Sequence, residues 1–192
     1  MTGDKIYSKV QAQINTVKEV SEWVAISGGL ALHMLSPEHV ENKHLHDHSD
    51  VDLFVIDHNF FIKMKKLGFN KVWSKYDSNN FYRYMKTIDM EDVVNPGKIV
   101  RVKVLIDAFV DFNMKHFKFN EFKIIDLNEL IKLYELKQHH PSDDNYRTRN
   151  IRLLKIYMQQ MPGWQSGKCG RLQSDIPGIR IPHLVLKTVF SE

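Results

Sequence analysis

The chain has 192 residues, 43% of them hydrophobic and 26% charged, with a formal net charge of +4, which is typical of a soluble globular protein with a buried core. Cys169 is the one cysteine, so no internal disulfide can form. No run approaches the roughly 18 apolar residues of a membrane span and no apolar signal segment follows Met1, which predicts a cytoplasmic protein with no membrane partner. The mild positive charge is compatible with binding of nucleotides or RNA.

The first half of the chain is predicted to alternate helices and strands. Apolar residues recur every three or four positions at its start, which predicts an amphipathic helix with one apolar face: Ile6, Val10, Ile14, Val17 and Val20. The elements predicted after it are a short buried strand over 23–26 that ends at Gly28-Gly29, a helix over 30–35 stopped by Ser36-Pro37, a polar histidine-rich loop over 37–48, a strand over 50–56 and an amphipathic helix over 58–67.

The second half continues with strands and closes with helices. Short polar residues at 77–80 predict a hairpin turn, and Asn95-Pro96-Gly97 predicts a second turn before the longest strand pattern. In that pattern Val102, Val104 and Ile106 share one face, and Asp107 lies on the other. The predicted elements are strands over 69–76, 80–86, 98–110 and 122–125, helices over 126–138 and 141–160, and an irregular tail in which glycine and proline are frequent.

Two aspartates one residue apart are the most informative chemical feature. Because side chains alternate between the faces of a strand, Asp50 and Asp52 should point the same way, and carboxylates on one face can share Mg²⁺ ions. Upstream, Gly28-Gly29 lies between a strand and a helix, where backbone N–H groups can approach a phosphate. Together the two segments predict chemistry on a metal-chelated triphosphate.

The same two segments resemble a known superfamily. The first segment, Gly28-Gly29-Leu30-Ala31-Leu32, is similar to the Gly-Gly-x-Ala-Leu segment of small antibiotic nucleotidyltransferases. The second, His48-Ser49-Asp50-Val51-Asp52, is similar to their His-x-Asp-h-Asp segment, where h is an apolar residue. These enzymes and the abortive-infection toxins belong to the superfamily of nucleotidyltransferases related to DNA polymerase beta. The resemblance covers about residues 20–137. Histidines stand where this superfamily often has an arginine before the aspartate pair.

The resemblance implies a fold and a division of the chain. The expected fold is α/β, of the α+β kind: the nucleotidyltransferase fold, with a mixed central sheet flanked by helices, followed by C-terminal helices and an irregular tail. We expect a nucleotidyltransferase core over 1–125, a helical segment over 126–161 and the tail over 162–192, all in one structural domain.

The resemblance also implies roles for individual residues. Asp50 and Asp52 would hold Mg²⁺ or Mn²⁺ on the triphosphate, and Asp107 would be the third carboxylate, as a metal ligand or as general base. Asp111 is the alternative to Asp107. The residues implied in nucleotide binding are Ser27, Gly28, Gly29, His48, Ser49 and Lys137.

The implied reaction moves a nucleoside monophosphate from an NTP, expected to be ATP, to a hydroxyl, and releases pyrophosphate. The acceptor is left open between a small molecule, tRNA and a protein. Its pocket would come from the C-terminal helices, the tail or a homodimer partner. Arg147, Arg149 and Arg152 are weighed as substrate contacts against an ordinary solvated helix face.

Two alternatives remain beside this interpretation. His44, His46 and His48 resemble the metal motif of metallo-β-lactamase-type hydrolases, so a Zn²⁺ hydrolase is one alternative, although the spacing misses that motif. The other is a non-catalytic binding or regulatory module on a nucleotidyltransferase fold. Carboxylates that converge without a metal repel one another, which argues against such a module.

Overall fold

The computed structural model describes residues 3–35, 49–74, 80–136 and 144–160. Within these ranges it contains five helices and seven strands. The helices are α1 (Gly3–Val20), α2 (Gly28–Leu35), α3 (Asn59–Lys66), α4 (Leu127–Glu135) and α5 (Asp144–Gln160). The strands are β1 (Val24–Ile26), β2 (Val51–Val55), β3 (Asn70–Val72), β4 (Phe81–Glu91), β5 (Ile99–Val110), β6 (His116–Phe119) and β7 (Phe122–Ile125).

All seven strands form one mixed sheet in the order β3-β4-β5-β2-β1-β7-β6. The pairs β2–β5 and β1–β7 are parallel, and the other neighbours are antiparallel. Because β2 pairs only with Ile106 to Val110 of β5, the first half of β5 extends past β2 and pairs there with β4 alone. Strands β2 and β5, near the centre of the sheet, carry Asp52 and Asp107, and Asp50 immediately precedes β2.

Helix packing follows from the apolar faces of the sequence. Val10, Ile14 and Val17 of α1 are buried, and α1 packs on β5 and β4. Val100, Val102, Val104 and Ile106 are buried, whereas Arg101 and Lys103 between them are exposed, as the alternation along β5 requires. Helix α2 contacts β2 and α5, and α5 contacts α4. One hydrophobic core, which includes Leu154 and Tyr157 of α5, joins these layers.

The predicted mixed α/β class is confirmed, with differences in element length. Strand β2 begins at Val51 rather than at residue 50, and β3 ends at Val72 rather than at residue 76. Strand β4 continues to Glu91, five residues past the predicted end, because the long β5 supplies it with a hydrogen-bonding partner over its whole length. Strand β6 was not predicted; it exists as the antiparallel partner of β7.

Several predictions fall outside the described residues or remain untested. The histidine-rich loop over 37–48, the end of the predicted helix at 137–138 and the tail from 162 lie outside the described ranges. The division into a core, a helical segment and a tail stays a prediction. Among the described helices, none combines the length and the apolar character that crossing a membrane requires.

Candidate active site

The strand register places three charged side chains in one row across the sheet. Asp52 of β2 lies directly opposite Asp107 of β5, and Asp107 lies opposite Arg83 of β4. Residues directly opposite one another in neighbouring strands project from the same face, so all three side chains share one side of the sheet. Asp50 lies in the bend immediately before β2, next to this row. Three segments that are separated in the sequence thus converge near the centre of the sheet.

Arg83 binds two of the three carboxylates. Its Nε donates to Asp107 Oδ1 at 2.6 Å and its Nη2 donates to Asp107 Oδ2 at 2.5 Å, which is a bidentate pair. The same Nη2 also donates to Asp50 Oδ2 at 3.2 Å. The Asp107 side chain is 9% exposed and that of Asp50 is 30% exposed. Arg83 therefore bridges a buried carboxylate and a more accessible one.

The start of α2 lies against Asp52. Gly28 has a φ of +59°, and a Cβ added to it would lie 2.0 Å from Asp52 Oδ2. The Ser27 N–H donates to the Asp52 carbonyl at 2.9 Å, which joins the β1–α2 connection to β2. Both the left-handed backbone and the lack of space require glycine at position 28. The Gly-Gly segment is thus placed beside the aspartate pair.

Burial and mutual repulsion dominate the electrostatics of the site. Burial, followed by the charges of Asp50 and Asp107, raises the pKa of Asp52 from 3.8 to about 7, against a smaller opposing effect of Arg83. Burial also raises the pKa of Asp107, although the Arg83 hydrogen bond opposes this shift. One guanidinium thus does not fully compensate three carboxylates. The cluster has a surplus of negative charge that a further cation would relieve.

The donor set is of the kind that Mg²⁺ prefers, since Asp50, Asp52 and Asp107 offer only carboxylate oxygens. Across the described ranges, however, no three histidine, cysteine, aspartate or glutamate side chains are arranged to hold a metal ion as they stand. Arg83 takes the bridging position between Asp50 and Asp107. A divalent ion at these carboxylates therefore competes with Arg83.

Ser49 and Asp111 are both described, but they lie in different places. The Ser49 hydroxyl donates to Asp50 Oδ1 at 2.9 Å, so Ser49 belongs to the rim of the site. Asp111 follows the end of β5 and accepts from the Asn113 N–H at 3.0 Å, as turn residues do. Four residues of strand, about 13 Å, separate its backbone from that of Asp107. The structure therefore brings Asp107, and not Asp111, to the aspartate pair.

Other predicted contacts are not part of the described site. His44, His46, His48 and Lys137 lie outside the described residues, as do the side chains of Arg147 and Arg149. Arg152 lies on α5 and its side chain is exposed. Their roles, including both the zinc alternative and the nucleotide contact of His48, stay predictions.

Arg83 is the charged residue at the site that the sequence analysis missed. A signal for it exists in the turn Asn95-Pro96-Gly97. In an antiparallel hairpin, residues equally distant from the turn centre pair, and Asn95 lies twelve residues from both Arg83 and Asp107. The predicted hairpin paired the strand at 80–86 with 69–76 alone, and the pairing of β4 with β5 was not predicted.

Comparison with models of known protein families and with curated proteins finds no match for this chain. Any function assigned to the chain therefore depends on the geometry of the site.

Proposed function

We propose that the chain is a Mg²⁺-dependent nucleotidyltransferase that moves a nucleoside monophosphate from an NTP, with ATP as the expected donor, to a hydroxyl group. The observation that carries the proposal is the convergence of Asp50, Asp52 and Asp107, with the Gly28 backbone against the Asp52 carboxylate. Carboxylates beside a glycine-rich helix start are the two parts that a metal-chelated triphosphate needs. The nucleotidyltransferase fold belongs to the same proposal.

The three carboxylates would hold the metal, with Mn²⁺ as a substitute. When bound, the metal neutralises the triphosphate and orients the attacking hydroxyl. The raised pKa values of Asp52 and Asp107 support this assignment, because burial and, after it, the neighbouring carboxylates disfavour the charged form of both side chains. A divalent cation is the group that would return these carboxylates to their charged form.

The start of α2 would bind the phosphates. The first N–H groups of a helix have no acceptor within the helix, and its dipole favours an anion at this end. Gly28 and Gly29 have no side chains of their own over this backbone, and Ser27 precedes them. Ser27 is itself buried, so its contribution would come from the backbone conformation that its hydrogen bond to β2 fixes.

Asp107 would accept the proton of the acceptor hydroxyl or ligate the metal beside it. In the transfer step the hydroxyl oxygen forms a bond to the α-phosphorus, its proton leaves to a carboxylate oxygen, and the bond from the α-phosphorus to the bridging oxygen breaks to release pyrophosphate. The bidentate contact with Arg83 fixes the orientation of the Asp107 carboxylate for this role.

One observation favours the non-catalytic alternative. Because Arg83 pairs with Asp50 and Asp107, the cluster is partly neutralised without a metal, so its carboxylates are less costly to keep in a binding module than their number suggests. Binding of ATP distinguishes the two functions. An enzyme of the proposed kind binds ATP in a Mg²⁺-dependent way, and a pure binding or regulatory module does not.

The decisive experiment is a label transfer. The protein is incubated with Mg²⁺, a cell extract and each α-³²P-labelled NTP in turn, and labelled species are separated. We expect one NTP to label a defined acceptor, with the label retained in Asp89→Asn and lost in Asp52→Asn. Absence of labelling with all four NTPs, or equal labelling by Asp52→Asn, would contradict the proposal.

A further inference from the structure

Arg83 is held unequally by its two carboxylate partners. It makes two hydrogen bonds of 2.5 and 2.6 Å to Asp107, whose side chain is nearly buried. Its contact with Asp50 is a single bond of 3.2 Å to a more exposed side chain. Short bidentate pairs are stronger than single long contacts, and solvent screens the exposed pair more. The Asp50 contact is therefore the one that breaks first.

Part of the guanidinium makes no hydrogen bond to the residues that the structure describes. All the hydrogen bonds of Arg83 to the described residues come from Nε and Nη2, and Nη1 donates to none of them. The Arg83 side chain is 26% exposed, so it is not sealed from solvent. A guanidinium presents five N–H donors in a planar fork that matches phosphate oxygens. Arg83 can therefore stay on Asp107 and still bind an anion.

We propose that Arg83 is an exchangeable counter-ion of the carboxylate site. It bridges Asp50 and Asp107 while no divalent cation is bound, and it releases Asp50 when a metal–triphosphate complex enters. It remains bidentate on Asp107, which makes it the positioning residue of that carboxylate, and its freed N–H groups face the triphosphate. This inference rests on the proposed function and specifies how the same site admits its ligand.

The exchange has a consequence for the order of binding. A divalent cation alone must compete with Arg83 for Asp50. It also provides no new hydrogen-bond acceptor for the guanidinium that it displaces. A cation that arrives with a triphosphate supplies such a partner, because the phosphate oxygens replace Asp50 as the acceptor. Metal and nucleotide should therefore bind cooperatively, and metal alone should bind weakly.

The same hairpin provides a matched control. Arg101 and Asp89 form a cross-strand pair with the same bidentate pattern, Nε to Oδ1 at 2.6 Å and Nη2 to Oδ2 at 2.9 Å, six rows of the β4–β5 ladder away from Arg83. Arg101→Met removes one arginine and one bidentate pair from these strands without touching the carboxylate site. Any effect that depends only on net charge or on hairpin stability appears in this variant as well.

The experiment measures Mn²⁺ binding by electron paramagnetic resonance, without and with a non-hydrolysable ATP analogue. We expect Arg83→Met to bind Mn²⁺ alone about tenfold more tightly than the unaltered chain and to lose most of the cooperativity with the analogue. Arg83→Lys keeps the charge, so its affinity for Mn²⁺ alone should stay weak, but it loses the bidentate contact that positions Asp107. Its kcat should fall while its KM for the NTP changes by less than about threefold.

The outcomes separate the inference from the function. Suppose that the unaltered chain binds Mn²⁺ with the analogue and that Arg83→Met folds. If Arg83→Met then binds Mn²⁺ alone no more tightly than the unaltered chain, the inference is overturned and the proposed function stands. An equal gain in Arg101→Met would also overturn it. If the unaltered chain binds no Mn²⁺ even with the analogues of all four NTPs, the proposed function fails, and the inference fails with it. If Arg83→Met does not fold, the kinetics of Arg83→Lys test the inference instead: a fall in kcat with a nearly unchanged KM supports it, and an unchanged kcat contradicts it.

Discussion

Two arginine–aspartate pairs join β4 to β5, and they differ in almost everything except their hydrogen bonds. Arg83–Asp107 and Arg101–Asp89 are both bidentate pairs between residues opposite each other in the ladder. The outer pair is solvent-exposed, with side-chain exposures of 73% for Arg101 and 51% for Asp89. The inner pair is largely buried and adjoins Asp50 and Asp52.

The pKa values of the two aspartates move in opposite directions. The hydrogen bond from Arg101 lowers the pKa of Asp89. Burial raises the pKa of Asp107 despite the equivalent bond from Arg83, and the charge of Asp50 raises it further. An arginine partner therefore does not by itself decide whether an aspartate holds its charge. Desolvation and neighbouring carboxylates make the inner pair a chemical site, whereas the outer pair is an ordinary surface ion pair.

The largest expected difference between the pairs is in activity. Asp107→Ala should abolish transfer and leave Mg²⁺–ATP binding largely intact, because Asp50 and Asp52 remain to hold the nucleotide-bound metal. Asp89→Ala should leave both unchanged. Turnover and nucleotide affinity of the two variants are measured side by side. Asp111→Ala should be mild, and a dead Asp111→Ala beside an active Asp107→Ala would mean that the strand register is wrong.

Asp52→Asn tests the carboxylate next to the inner pair. The substitution keeps the shape of the side chain and removes one negative charge, so transfer should fall at least about a hundredfold, the scale of losing one key electrostatic contributor. The matched change Asp89→Asn should leave the transfer rate within about twofold of that of the unaltered chain. Steady-state kinetics with the labelled NTP measure both. Retained turnover in Asp52→Asn would remove the case for a metal site at these carboxylates.

Gly28→Ala extends the comparison to the backbone that covers Asp52. An added Cβ would lie 2.0 Å from Asp52 Oδ2, in a residue with a φ of +59°. We expect a loss of about 2–5 kcal/mol in the free energy of unfolding. Gly97→Ala, at a φ of +85° with no atom within 4 Å of the added Cβ, should cost only about 1 kcal/mol.

Urea unfolding measures both glycine variants. The control is the double variant Gly28→Ala with Asp52→Gly, compared with Asp52→Gly alone. Removing the Asp52 side chain removes the clash with the added Cβ, so the free-energy cost of Gly28→Ala should fall to that of Gly97→Ala. If Gly28→Ala lowers the free energy of unfolding by the same amount in the Asp52→Gly variant as in the unaltered chain, Asp52 does not lie against Gly28.

The pH dependence of stability should be opposite for the two regions. Asp52 has a pKa of about 7 in the folded chain against an ordinary value of 3.8, so between these pH values the folded state binds a proton that the unfolded state does not. Its contribution therefore becomes unfavourable as the pH rises from about 4 to 7, by at most about 4 kcal/mol. The lowered pKa of Asp89 acts the other way, since its stabilisation is present above the ordinary pKa and is lost as the pH falls below it.

Urea unfolding of the metal-free protein at pH 5 and pH 8 checks this prediction. The difference in stability between Asp52→Asn and the unaltered chain should be larger at pH 8, in favour of the variant. The corresponding difference for Asp89→Asn should be small at both values. A stability difference for Asp52→Asn that is independent of pH would contradict the raised pKa.

The carboxylates of the site were within reach of sequence analysis. The alternation of valines with polar residues in β5 placed Asp107 on the face away from the core-facing valines, and the Asp-x-Asp spacing put Asp50 and Asp52 near each other. Both inferences use only the period of a strand, which is local. The Gly-Gly segment was likewise recognisable, because a strand–glycine–helix order predicts a tight turn without any tertiary contact.

The rest required long-range information. Arg83 reaches the site only through the pairing of β4 with β5, and β4 has partly exposed residues on both faces, so its sequence gives little sign of its length or register. Strand β6 is four residues long and depends on pairing with β7. Helix α2 packs on β2, and this packing brings Gly28 into direct contact with Asp52. No local sequence pattern specifies such packing.

The most direct test of the central claim, that the inner carboxylates form a metal–nucleotide site, is a binding measurement that needs no acceptor. Isothermal titration of Mg²⁺ with non-hydrolysable NTP analogues is performed on the unaltered chain, Asp52→Asn and Asp89→Asn. The account predicts Mg²⁺-dependent binding of at least one analogue that is lost in Asp52→Asn and retained in Asp89→Asn. Equal binding by all three proteins, or no Mg²⁺-dependent binding by any of them, would contradict it.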